Sequence, residues 1–163
     1  GEFVSNNGYY FCSDPAIVKR VLEQMRNDGK YFESVGGYEV QSVRDLGSPG
    51  YDSSTEDKKP TLPTSATSPM ITLRFKNGCV AQFRARYVRL IVWGVNLEPL
   101  VLSHVGSLQS SGTEPKFKYY IEMRGEPGEK KDAVERRLSE MCGVILEELL
   151  HPQENGLILP SHL

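Results

Sequence analysis

The sequence predicts an α+β domain, a small antiparallel sheet with two helices packed on one face. Two segments carry apolar residues at helical spacing: Ile17, Val18, Val21, Leu22 and Met25, then Val134, Leu138, Met141, Cys142, Ile145 and Leu149. Between them, residues 38–43, 70–83 and 115–123 alternate apolar and polar side chains as half-buried strands do. Two amphipathic helices cannot bury their stripes alone, and the economical arrangement lays both on one face of the sheet.

Residues 1–12 are aromatic and rich in Asn and Gly. They read as a turn leading into a short strand, and as the lead-in from a preceding domain, because the chain opens Gly1-Glu2-Phe3 with no initiator methionine. Ser13-Asp14-Pro15 starts the first helix with a capping side chain and a proline whose missing N–H costs nothing there, and Asn27-Asp28-Gly29 stops it. Tyr38–Val43 is a strand. Leu46 to Pro69, rich in Gly, Pro, Ser, Thr and Asp, reads as a long loop without structure of its own. Met70–Phe83 is a hairpin with Asn77-Gly78 as its type I′ turn. Pro115–Met123 is a further strand, and a polar turn over 125–131 leads into a helix over 132–150. His151-Pro152 ends that helix, and the tail 152–163 reads as poorly ordered. The main domain is thus 13–151.

Composition narrows the function. A chain of 163 residues is one ordinary domain, and 39% hydrophobic with 25% charged residues argues against wholesale disorder. With 19 basic against 21 acidic residues, the net charge of −2 gives no global attraction for nucleic acid or an anionic membrane. Three scattered cysteines (Cys12, Cys79 and Cys142) make neither a disulfide framework nor a CxxC metal site. They suit a reducing, cytoplasmic setting. No apolar run reaches the roughly 20 residues that cross a bilayer, and no signal peptide is visible.

One segment does not fit. Residues 86–110 (RYVRLIVWGVNLEPLVLSHVGSLQS) contain one Glu, no Lys or Asp, a dense run of Val, Leu and Ile, and the only Trp, Trp93. An extra buried strand pair, a partner-binding arm and a membrane-surface element are open readings, the last weakened by its few basic residues. The reading adopted comes from the genetic code. Ala85-Arg86-Tyr87-Val88-Arg89 is encodable as GCN-AGG-TAC-GTA-AGG, which contains a near-ideal splice donor, AG|GTACGTAAG. Ser110-Ser111 is encodable as TCC-AGC, which contains an acceptor, CAG|C. Both cuts follow a second codon base, so excision keeps the frame and rebuilds one serine. Residues 86–110 are therefore expected to be an in-frame retained intron, and a codon 86 other than AGG sinks the idea.

The string Ser111-Gly112-Thr113-Glu114-Pro115-Lys116-Phe117-Lys118-Tyr119-Tyr120 carries the chemistry. Gly112 permits positive φ, and Ser111 and Thr113 set hydroxyl donors beside free backbone N–H groups, a nest suited to an oxyanion. Lys118 adds a charge-assisted donor, as does Lys116 with less support. With 86–110 excised, Arg84 stands just before Ser111 and supplies a guanidinium fork that matches phosphate oxygens. From local composition alone, a polar turn with solvated lysines is the better fit.

In the excised register, Arg84-Ala85-Ser111-Gly112-Thr113-Glu114-Pro115 resembles the R-T/A-S-G-T-E-P phosphate-binding loop of the α-D-phosphohexomutases. The likeness is to the eukaryotic phosphoglucomutase/phosphopentomutase branch, glucose-1,6-bisphosphate synthase included, where an NGxVATxRTSGTEPKxKYYxE-like run is typical. Here Asn77 to Arg84 precedes the loop and Lys116 to Glu122 follows it. Val43 to Leu46, Gly50 to Asp52, Leu62 to Ser65 and Pro152 to Leu157 are also similar to that branch. The resemblance covers nearly all of the chain except 86–110.

The resemblance implies the fourth, C-terminal domain of an intramolecular phosphotransferase. Such an isomerase interconverts 1-phosphate and 5- or 6-phosphate sugars through a bisphosphate intermediate. A phosphoserine on the first domain transfers the group, and Mg²⁺ on the second assists. The fourth domain holds the non-reacting phosphate, with Arg84, Ser111, Gly112, Thr113 and Lys118 as its anchor. The serine, metal and sugar-reading loops have no counterpart here, so the chain alone is expected to be inactive, without catalytic or metal-binding residues of its own. Its partners are then the phosphosugar and the missing domains. The insert also separates Arg84 from Ser111 by 26 residues and leaves the uncharged Gln109 where Arg is expected. The alternative is accordingly a non-catalytic retained-intron isoform or an interaction module that uses 86–110.

Overall fold

The computed structural model describes residues 1–86, 91–92, 95–96 and 115–160, with the backbone alone at 91–92 and 95–96. Its strands are β1 (Phe3–Cys12), β2 (Ser34–Val35), β3 (Tyr38–Asp45), β4 (Tyr51–Asp52), β5 (Met70–Phe75), β6 (Cys79–Ala85), β7 (Ile91–Val92), β8 (Val95–Asn96), β9 (Lys116–Arg124) and β10 (Leu157–Ile158). Its helices are α1 (Pro15–Arg26), α2 (Lys131–Leu150) and the short α3 (Pro152–Asn155). Among the described residues, an antiparallel sheet runs β10-β1-β9-β6-β5-β3-β2, with β4 paired to β3. The expected α+β class holds.

The first helix starts where its capping signals predict. The Asp14 side chain accepts from the Ala16 N–H at 2.8 Å and Pro15 opens the helix. Asn27 closes it in the left-handed region (φ 47°, ψ 53°), a conformation Asn tolerates. The apolar stripes of α1 and α2 meet the inward residues of the central strands in one core, whose fully sealed members include Val21, Phe83, Phe117, Ile121 and Ile145. Asp45, at the end of β3 and 2% exposed, ties this layer to the first helix. Its carboxylate accepts from Arg26 Nε at 2.7 Å, the Tyr31 hydroxyl at 2.8 Å and the Gly47 N–H at 2.8 Å. A buried carboxylate needs such a set of donors.

Four local expectations change. Residues 3–12, read as a turn before a short strand, are one long strand of the main sheet paired with β9 from Phe3 to Phe11, because the N–H and C=O groups of β9 find their second set of partners there. The tail, read as poorly ordered, folds back. Asn155, 4% exposed, donates from Nδ2 to the Leu150 carbonyl at 2.7 Å and accepts from Arg20 Nε at 3.0 Å, and β10 pairs with β1. The 46–69 loop is held by backbone hydrogen bonds: Leu46 N–H to Met70 O and Ser65 N–H to Leu46 O at 2.8 Å, and Ser53 N–H to Val43 O at 2.9 Å. The 70–83 hairpin turns over three residues instead of two. Only Gly78 takes positive φ (87°), so the turn is not type I′, and the Gly78 N–H bonds the Phe75 carbonyl at 3.2 Å.

Most of the 86–110 segment lies outside the described residues. Its described part pairs only with itself: Ile91 opposes Asn96 and Val92 opposes Val95 in a separate two-stranded ladder.

Candidate functional site

Period-two alternation gives the sheet two faces. On β6, Cys79, Ala81, Phe83 and Ala85 are buried, while Val80 and Gln82 are half-buried and Arg84 is exposed. On β9, Phe117, Ile121 and Met123 are buried, while Lys116, Lys118, Tyr120 and Glu122 are exposed. The buried set faces the helices, and the other set lies on the opposite face, helix-free among the described residues.

Register then brings together two of the predicted site residues. Arg84 stands directly opposite Lys118, with Met70 on its other side and Tyr9 beyond Lys118. Side chains so opposed have Cβ atoms about 5 Å apart, and like charges in that position repel. An oxyanion seated between them converts that repulsion into attraction. Ser111, Gly112 and Thr113 lie outside the described residues. Their flanks do not: Ala85 opposes Phe117 in register, and the Cys12 N–H donates to the Pro115 carbonyl at 2.9 Å. The two strand ends that bracket the segment are thus held side by side.

The same face has features that local sequence did not disclose. Arg84 stands at a depression of about 320 Å³ lined also by Ser5, Asn7, Gln82, Tyr120 and Glu122. Amides, hydroxyls and a guanidinium there suit a polar ligand, with Arg84 favouring an anion at its end and the Glu122 carboxylate opposing one at the other. Arg44 and Thr72 oppose each other on β3 and β5, and Arg44 Nε and Thr72 Oγ1 are buried without a hydrogen-bond partner among the described residues. Lys116 Nζ lies 5.2 Å from the centroid of the Tyr9 ring and 5.5 Å from that of Phe11. The alternation of Tyr9 and Phe11 was the available signal for that seat, but a strand reading there does not disclose its pairing with β9.

Nucleophilic catalysis finds no support among the described thiols. Burial pushes Cys12 and Cys79 up to about 12 and Cys142 up to about 11, so all three are neutral near pH 7. Among the described residues, no group of three or more His, Cys, Asp or Glu side chains is placed to hold a metal ion. No helix among them is long and apolar enough to cross a membrane.

No protein-family model matches the chain. Individual proteins do. Human glucose 1,6-bisphosphate synthase is 35% identical over 165 residues, covering 99% of this chain and 22% of that protein. Human phosphopentomutase is 35% identical over 161 residues, covering 96% of this chain and 22% of its own length. A probable phosphoribomutase of Schizosaccharomyces pombe is 32% identical over 163 residues, 98% of this chain and 23% of that protein. The chain thus spans about a fifth of the length of the curated relatives it matches. Sheet, helices and these matches together place the chain in the phosphohexomutase family, in the branch of glucose-1,6-bisphosphate synthase and phosphopentomutase, as a C-terminal portion of such a protein.

Proposed function

We propose that this chain is the substrate-phosphate-binding domain of a phosphosugar mutase, with Arg84, Ser111, Gly112, Thr113 and Lys118 as the anchor. The observation that carries this reading is the opposition of Arg84 and Lys118 at the strand ends that bracket Ser111-Gly112-Thr113. A phosphate held there is remote from the reacting centre. Its binding energy orients the sugar without being consumed in the bond being made. The phosphoserine that exchanges the group, and the Mg²⁺ that assists it, belong to domains outside this chain, which alone does not catalyse. Its setting is the cytoplasm.

Residues 86–110 are, on this reading, an insertion into the anchor. Two features support that. Ala85 opposes Phe117, so the β6–β9 pair needs only a short connection, and without the insert the five residues Ser111-Gly112-Thr113-Glu114-Pro115 supply one of ordinary hairpin length. The described part of the insert pairs with no strand of the main sheet. A second reading follows from the same ladder: the chain with its insert is a non-catalytic isoform whose anchor is disabled.

The test uses the full-length enzyme without residues 86–110. Changing Arg84 and Ser111 to Ala together is expected to raise KM for glucose 1-phosphate about ten- to a hundredfold, the loss of one charged hydrogen-bonding fork. An unchanged KM shows the anchor assignment to be wrong.

A further inference from the structure

We propose that Tyr9 and Phe11 position Lys116 as a third cation of the anion site, an inference that rests on the phosphate-anchor reading. In register, Phe11 opposes Lys116 and Tyr9 opposes Lys118. Tyr9 and Phe11 are half-buried on the helix-free face, while Tyr10 and Cys12 between and after them are buried in the core. The two rings pack edge to face, 5.2 Å apart at 89°. Lys116 Nζ is within 6 Å of both centroids, inside the range of a cation–π contact.

The consequence is pre-organisation. A freely solvated lysine loses rotamer freedom when it grips an anion. Lys116, seated over two rings, has surrendered part of that freedom beforehand, and binding is tighter by the cost already met. The contact is made through the ring faces, so ammonium N–H groups remain to donate to an oxyanion. Lys116 lies two residues from Lys118 on the same exposed face, and Lys118 faces Arg84. Three cations then share the end of the sheet where Pro115 enters β9, and they suit a phosphate monoester dianion. Lys116 is the binding residue, while Tyr9 and Phe11 are positioning residues that act only through it.

The test titrates the chain without residues 86–110, in which Arg84 and Ser111 are rejoined, with inorganic phosphate and follows the lysine ε-methylene signals by NMR. In the unsubstituted protein the Lys116 signal should lie upfield of the Lys118 signal because of ring currents, and both should move with phosphate. Tyr9→Leu with Phe11→Leu should erase the upfield shift and weaken phosphate binding on the order of two- to fivefold. Lys116→Ala should weaken it at least as much, and adding the two leucines to Lys116→Ala should change nothing further. Tyr9→Phe and Phe11→Tyr, which keep the rings, should retain both the shift and the affinity. If the double leucine variant fails to fold, Phe11→Leu alone should give a part of the shift and of the loss.

Three results overturn the inference. One is a Lys116→Ala protein that binds phosphate as the unsubstituted chain does. Another is a leucine effect that persists without Lys116. The third is a Lys116 signal that ignores phosphate, which would mean the rings park the ammonium away from the anion. If Arg84→Ala still weakens binding in those cases, the anchor reading survives alone. If Arg84→Ala is silent, or the chain shows no response to phosphate, both readings fall.

Discussion

Phe83 and Arg84 are neighbours in sequence and opposites in environment. Phe83 is sealed from solvent, its ring 6.2 Å from that of the equally sealed Phe117. Arg84 is exposed and faces Lys118 across the same pair of strands. The helix side of β6 and β9 supplies apolar burial, and the open side supplies charge. Because the side-chain period of a strand is two, one stretch of chain serves both ends with no residue in common. Stability and anion binding should therefore separate cleanly between adjacent positions.

The largest expected effect comes from pH, because the groups that burial perturbs upward gather on the helix side. Burial raises Cys12 and Cys79 to about 12 from 9.0, Cys142 to about 11 from 9.0, and Tyr10 to about 12 from 10.0. Between the unfolded and folded values, the folded chain retains protons that the unfolded chain has released. Their stabilising contribution is therefore complete below pH 9 and is lost as pH climbs toward 12. The chain should unfold in that interval, read as a fall in melting temperature by circular dichroism under reducing conditions. A melting temperature that stays level from pH 9 to 12 would mean that these groups titrate as freely folded as unfolded, and the contrast between the faces would lose its electrostatic half.

Phe83→Ala should come next. Emptying a sealed phenylalanine site between the helices and the sheet costs about 3–5 kcal/mol, the lost transfer energy plus a cavity that the neighbours only partly fill. Urea unfolding should show a lower midpoint at unchanged slope. A loss under 1 kcal/mol would mean that the Phe83 and Phe117 rings are not the keystone that their burial suggests.

How far these features were legible in sequence follows from the range of the forces involved. Both helices were, since Asp14-Pro15 and the stripes at 17–25 and 134–149 act within a few turns. β1 was read too short, with a turn where Asn6, Asn7 and Gly8 continue the strand: these residues have low intrinsic strand preference, and what makes them a strand is pairing with β9, whose partner residues Ile121, Tyr120 and Tyr119 lie more than a hundred positions away. The 46–69 loop was misread for a related reason: Leu46, Ser53 and Ser65 are held through backbone bonds to Met70, Val43 and Leu46, and by serine hydroxyls that bond backbone groups, contacts that leave no apolar periodicity. At the site, Arg84 and Lys118 stood out as single cations beside a phosphate-loop string. Their opposition did not, because register between β6 and β9 is a property of the assembled sheet. The aromatic seat of Lys116 was hidden for the same reason, since it depends on the register of β1 against β9.

Arg84→Ala should produce the smallest change in stability, and that smallness is the sharpest check on the comparison. Arg84 forms no salt bridge among the described residues, its side chain is exposed, and its nearest cross-strand charge is the like-charged Lys118. Removing it deletes a repulsion along with some packing of its aliphatic stem over the strand, two small terms of opposite sign. Urea unfolding of Arg84→Ala should therefore match the unsubstituted chain within about 0.5 kcal/mol. A slight stabilisation at low ionic strength that fades as salt is added would be the signature of the relieved Arg84–Lys118 repulsion, since exposed charges are screened within about 10 Å at 0.1 M salt. In the chain without residues 86–110, adding phosphate should then raise stability and leave Arg84→Ala behind, because a ligand that binds only the folded state stabilises it by RT ln(1 + L/Kd), L being the free ligand concentration. A large loss of stability in the absence of phosphate would place Arg84 in the structural framework, and the division of labour between the two faces of β6 would fail at the residue where it was drawn.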